Sequence, residues 1–147
     1  MTSAPPPLVR LLSILHAIRW SHHFAHWTAR GVPEYGDHLL FERLYEGMDE
    51  EIDELGERLV GEWGPEAFDR VGSLVRAGEM LKLFEGTRDP IEHALALELF
   101  LRETVERSFA ELEAEGRLSL GFNDYLATLT RSHDRFVYFL RSRSNAS

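Results

Sequence analysis

Histidines and carboxylates recur in this sequence at helical spacing, and they are side chains able to hold a metal ion. His38 and Glu42 lie four apart, as do Asp53 and Glu57, so each pair projects from one helix face on successive turns. There is no cysteine, which removes thiolate ligands, disulfides and cysteine nucleophiles together. A bound metal would be held by nitrogen and oxygen, a donor set that suits iron, manganese or zinc. Along one rigid helix the two pairs would be roughly 22 Å apart, too far to share an ion. One chain cannot close such a site alone. An antiparallel copy of the helix would place His38 and Glu42 opposite the partner subunit's Asp53 and Glu57, and a two-fold dimer would make two such sites. His26 can join His38 from the same chain if a short turn at Gly31–Pro33 lays the first two helices side by side.

The elements that must carry these residues follow from the apolar spacing. Leu8, Leu11, Leu12, Leu15 and Ile18 mark one buried face, predicting a helix from about Pro7 to about Ala29 after a flexible lead over residues 1–6. Gly31 and Pro33 end it, and Asp37 is the expected N-cap of the next. Leu39, Leu40, Leu44, Met48, Ile52, Leu55, Leu59 and Val60 carry a second helix to Trp63, where Gly64-Pro65 stops it. Residues 64–88 read as a crossover containing a short helix around Phe68 to Val75. Asp89-Pro90 opens a third helix running to Gly116, with Asp89 as cap and Pro90 in the first turn. A fourth runs from about Phe122 to Leu140, leaving residues 141–147 as a tail. Four amphipathic helices with one long crossover between the second and third match an all-α, ferritin-like four-helix bundle, as a single domain over 1–147.

The run His26-Trp27, Gly31, His38, Glu42, Asp53 and Glu57-Arg58 resembles the pattern of the Dps family. In that pattern a His-Trp precedes a second histidine by twelve residues, followed by carboxylates four and fifteen residues on and a glutamate four later. The match is strongest over residues 8–63 and weaker on the fourth helix, at Asn123-Asp124, Asp134-Arg135-Phe136 and Tyr138-Phe139. The resemblance implies a hollow dodecamer built from two-fold dimers, di-iron ferroxidase sites at the subunit interface, peroxide as oxidant and a ferric mineral core. It makes His26 and Asp53 iron ligands, Glu57 the bridging or bidentate carboxylate, and His38 and Glu42 the outer side. Glu42 stands where aspartate is commoner. Trp27 would lie beside the site as an electron donor, and Asp124 at a three-fold iron-entry pore.

Other residues have plainer readings. His22 either extends the site or is a partly buried interface histidine. His133 follows the apolar spacing and reads as a core or subunit-contact histidine. Glu46, Asp49, Glu50, Glu51 and Glu54 read as a solvated helix face, and Trp63 as a core residue. No Glu-x-x-His occurs, so a metal centre enclosed within one bundle is disfavoured. A non-catalytic helical assembly or interaction protein with a lapsed metal site is the alternative.

The balance of 16 basic and 25 acidic residues, net −9, argues against strong DNA binding, which requires clustered positive charge. Arg141 and Arg143 give the tail only a little. No stretch approaches the roughly 20 apolar residues of a membrane span, and no signal-like start is present. A cytoplasmic protein is expected.

Overall fold

The computed structural model describes residues 3–29, 35–86 and 89–145. Among the described residues six helices follow one another: α1 (Pro6–Thr28), α2 (Tyr35–Glu46), α3 (Asp49–Trp63), α4 (Arg70–Leu83), α5 (Pro90–Ala114) and α6 (Leu120–Asn145). No strand occurs among the described residues. The architecture is the expected all-α, ferritin-like bundle. Its long members are α1, the α2–α3 pair, α5 and α6, and α4 forms the helical part of the crossover.

Pro5 caps α1 in an extended conformation, and Pro6 and Pro7 occupy the first turn, where a missing N–H breaks no helical bond. The expected flexible lead is corrected from residue 3 onward. Ala4 is buried, and the Arg117 guanidinium donates to the Ser3 carbonyl, tying the lead to the loop before α6. Leu8, Leu11, Leu12, Leu15 and Ile18 are all buried, as their spacing requires. His26 meets His38 and Arg19 meets Asp49, so α1 runs antiparallel to α2 and α3. Arg10 with Glu111 and His22 with Glu98 show the same relation to α5. The turn expected at Gly31–Pro33 lies outside the described residues.

One long second helix was expected, but the structure has two. The Met48 N–H bonds the Tyr45 carbonyl, three residues back instead of four, and α-helical bonding resumes when the Ile52 N–H reaches the Met48 carbonyl. Gly47 sits at this break because the Phe136 ring comes close: a Cβ there would lie 3.0 Å from the ring and 3.1 Å from the Arg43 carbonyl. His38 and Glu42 therefore ride on α2, and Asp53 and Glu57 on α3. The single-helix geometry expected for the two pairs is replaced by one set at the Gly47–Met48 turn.

Asp37 is also corrected. It lies inside the first turn of α2, buried, and accepts from the Arg143 guanidinium at 2.6 and 3.1 Å. The same contact explains why the fourth helix continues past Leu140. The expected tail is helical to Asn145 because Arg143 is anchored on α2. Asp89 caps α5 as expected, accepting from the Ile91 N–H at 2.9 Å.

Candidate metal site

Where α1 ends and α2 begins, the His26 and His38 rings stack with centroids 3.8 Å apart. Nδ1 of each ring lies 2.9 Å from the other residue's backbone carbonyl oxygen. A carbonyl can only accept, so each Nδ1 must carry the proton and donate it. In the neutral ring that tautomer leaves the lone pair on Nε2. Fixing one ring nitrogen on a carbonyl so that the other can bind a metal is the usual outer-shell arrangement of a histidine ligand. Glu42 follows His38 by one turn and is half-buried.

The second pair sits on α3. Asp53 and Glu57 are exposed one turn apart, and a hydrogen bond with Asp53, then the Asp53 charge, raises the Glu57 pKa above the ordinary carboxylate range. Two like-charged carboxyls side by side repel each other, and a cation placed between them relieves that repulsion. They edge an open depression of about 600 Å³ whose walls include Leu12, Ile52, Val60 and Phe68. Among the described residues of one chain, no group of three or more His, Asp or Glu gathers to hold a metal ion. The chain presents an imidazole pair and a carboxylate pair as separate units.

Rings surround the histidine pair. Tyr45 meets His26 edge-on at 5.3 Å, and His23 stacks on Tyr45 at 4.1 Å. Trp27 is 49% exposed, contacts His23 at 4.1 Å and packs edge-on to Trp20. Trp27 thus reaches the pair through His23 and Tyr45. Sequence reasoning gave no role to His23 or Tyr45. The available signal was Tyr45 at seven residues from His38 and three from Glu42, on the same side of α2. Asp124 is exposed in the first turns of α6.

The centre of the bundle holds a second polar group. Glu98 and His133, 0% and 2% exposed, bond at 2.5 Å; His22 Nε2 lies 2.9 Å from the other Glu98 oxygen, and His133 Nε2 lies 2.7 Å from Glu51. With both ring nitrogens against carboxylates, His133 donates twice and is cationic. Burial alone would lower its pKa, but Glu98 and the hydrogen bonds to Glu51 and Glu98 outweigh that and push it up to about 10. Burial alone would raise Glu98, yet His133 and the bond from His22 hold it down to about 2. This is a proton-linked chain in which both His133 ring nitrogens and the His22 Nε2 are already engaged. His133 is thus a core histidine and His22 a buried one. Glu51 leaves the solvated face expected for it, and Asp49 pairs with Arg19 at 2.5 Å. Trp63 packs on Phe122. Glu98 went unnoticed in the sequence, although it is the one acid in the buried stripe of Ala94, Leu97, Leu101 and Val105.

No helix among the described residues is long and apolar enough to cross a membrane. No protein-family model matches the chain, and no curated protein matches it. Solved structures that it resembles include the X-ray structure of Dps from Thermosynechococcus elongatus, with a TM-score of 0.73 and 21% identity over 92% of this chain and 86% of that one. Another is a Dps1 mutant from Mycobacterium smegmatis, with a TM-score of 0.73 and 19% identity over 92% and 91%. The likeness is one of fold: the chain has the ferritin-like fold of the Dps structures.

Proposed function

We propose that this chain, folded as Dps subunits are, is a mini-ferritin subunit that oxidises ferrous iron with hydrogen peroxide and stores the ferric product inside a cage. The observation that carries the reading is the division of ligands. One chain offers two imidazoles with Nε2 lone pairs and, separately, two paired carboxyls, and neither half alone satisfies an iron ion. A second copy, related by a two-fold axis, supplies the missing half twice over. His26, His38 and Glu42 of one subunit would face the partner subunit's Asp53 and Glu57, with two irons bound between them as substrate. The apolar walls beside Asp53 and Glu57 suit burial against that copy.

Two ferrous ions give one electron each to a peroxide, the O–O bond breaks, and hydrolysis of the ferric ions releases protons. Carboxylates favour this step because they stabilise the higher charge of the ferric product more than that of the ferrous reactant. Both electrons come from iron, so no hydroxyl radical is released, and the reaction protects against oxidative stress as it stores iron. Asp124 is assigned to an entry pore at the three-fold axis of a dodecamer. DNA is not a partner in this reading: the net charge is −9 and Arg143 is paired with Asp37. A cytoplasmic location accords with it.

The test adds ferrous iron anaerobically to the purified protein, then peroxide, and follows ferric absorbance beside an Asp53→Ala, Glu57→Ala double variant. Fast oxidation that is lost in an equally assembled variant supports the shared site. Equal slow rates in both would leave a helical assembly without ferroxidase activity.

A further inference from the structure

The buried polar chain at the centre of the bundle ends on the helix that carries the carboxylate pair. Glu51, in the first turn of α3, accepts from His133 Nε2 at 2.7 Å, and its backbone carbonyl accepts from the Tyr125 hydroxyl at 2.7 Å. Two residues of α6 thus grip one residue of α3. The other ring nitrogen of His133 donates to Glu98 on α5 at 2.5 Å, and Glu98 accepts from His22 on α1 at 2.9 Å. His22 precedes His26 by one turn. The chain therefore runs from the helix that carries His26 to the helix that carries Asp53 and Glu57, by way of α5 and α6.

The broken second helix is what makes this link matter. One continuous helix would set the carboxylates against the imidazoles by its own geometry, but the turn at Gly47–Met48 uncouples the rotation of α3 from that of α2. Leu55 and Leu59 are buried and choose the face of α3 that turns inward, yet apolar burial has no direction of its own. Hydrogen bonds do. The Arg19–Asp49 pair also reaches α3, but at its exposed edge, where solvent screens it. At about 100° per residue, Asp53 and Glu57 lie roughly 200° and 240° round α3 from Glu51, so holding Glu51 inward aims both carboxyls outward. His133 packs edge-on against Phe136 at 4.9 Å, the ring that presses on Gly47, so one imidazole bears on both sides of the break. We propose that Glu51 and His133 are positioning residues for the carboxylate half of the shared metal site, fixing the rotation of α3 and with it the direction of Asp53 and Glu57. The inference rests on the iron-oxidation reading above.

The experiment titrates the assembled protein anaerobically with Co2+, whose visible absorption reports occupancy and ligand geometry without any oxidation. The shared-site signal is the part lost in the Asp53→Ala, Glu57→Ala double variant. Glu51→Ala should weaken Co2+ binding about 10-fold and change the shape of the bands. Glu51→Gln, whose uncharged amide can either donate to or accept from His133 Nε2, should restore the wild-type affinity and bands. Val105→Ala, a cavity elsewhere in the buried core, should lower the melting temperature and leave Co2+ binding unchanged. If Glu51→Ala does not assemble, Tyr125→Phe, which removes only the bond to the Glu51 carbonyl, takes its place and should weaken binding in the same direction. Wild-type binding in Glu51→Ala, or in Tyr125→Phe where it stands in, would overturn the assignment. So would Glu51→Gln binding as weakly as Glu51→Ala, which would make the charge the cause and not the anchor, or an equal loss in Val105→Ala. A wild type that binds no more Co2+ than the double variant would instead overturn the parent reading, and this inference with it.

Discussion

Because the His26 and His38 rings are each anchored through Nδ1 to the other residue's carbonyl, the Nε2 lone pairs proposed to bind metal are set before any cation arrives. His38→Phe would keep a ring in the stack while removing one Nε2 lone pair and the bond that orients the α1 end. Ferrous affinity by anaerobic titration should then fall about 10- to 100-fold, with elution volume unchanged. The buried Glu98–His133–Glu51 chain acts on stability. His133 has its folded pKa raised from 6.5 to about 10, so its contribution is whole below pH 6.5 and is lost as pH rises through 10. Glu98, lowered from 4.5 to about 2, contributes fully above pH 4.5 and loses that as pH falls through 2. Both are whole between pH 4.5 and 6.5. His133→Gln should cost about 3 kcal/mol in that window, since it strands a buried carboxylate. The gap in melting temperature from wild type should narrow towards pH 10. A gap independent of pH would mean that His133 is not cationic. The His26, His38, Asp53 and Glu57 pairs were legible because helical spacing is written in the chain. The Glu98 chain was not, because its members lie on four helices and only their packing joins them.

At the level of elements, the four buried faces and the Asp89 cap could be read from periodicity and local chemistry. Asp89→Ala should lower stability by about 1 kcal/mol, seen as a shifted urea midpoint with unchanged slope. The division of the second helix could not be read, because a lone glycine in a helical pattern does not reveal that Phe136, 89 positions away, will press on it. Gly47→Ala should therefore cost about 1–3 kcal/mol by overpacking. Gly78→Ala, in α4 with nothing within 4 Å of the added methyl, should stabilise by about 0.5–1 kcal/mol. Equal effects of the two substitutions would remove the close approach of Phe136 as the reason for glycine at position 47. The extension of α6 to Asn145 was hidden for the same reason, since Arg143 finds Asp37 only in three dimensions.

In the proposed reading the function is decided at the whole molecule, because one chain would hold two incomplete ligand sets. Trp20, Phe24 and Trp27, exposed on α1, and Val71, Leu74 and Val75, exposed on α4, add apolar surface of the kind an assembly covers. A cage of twelve would elute at about twelve times the 16.9 kDa subunit mass. The most direct measurement co-assembles two inactive chains, one carrying His26→Ala and His38→Ala, the other Asp53→Ala and Glu57→Ala, and follows peroxide-driven ferric absorbance. Each mixed dimer has one site with both halves intact, so random one-to-one mixing should restore about a quarter of the wild-type sites, while either variant alone stays inactive. Mixed assemblies of normal size that remain as inactive as the separate variants would contradict a ferroxidase site shared between subunits.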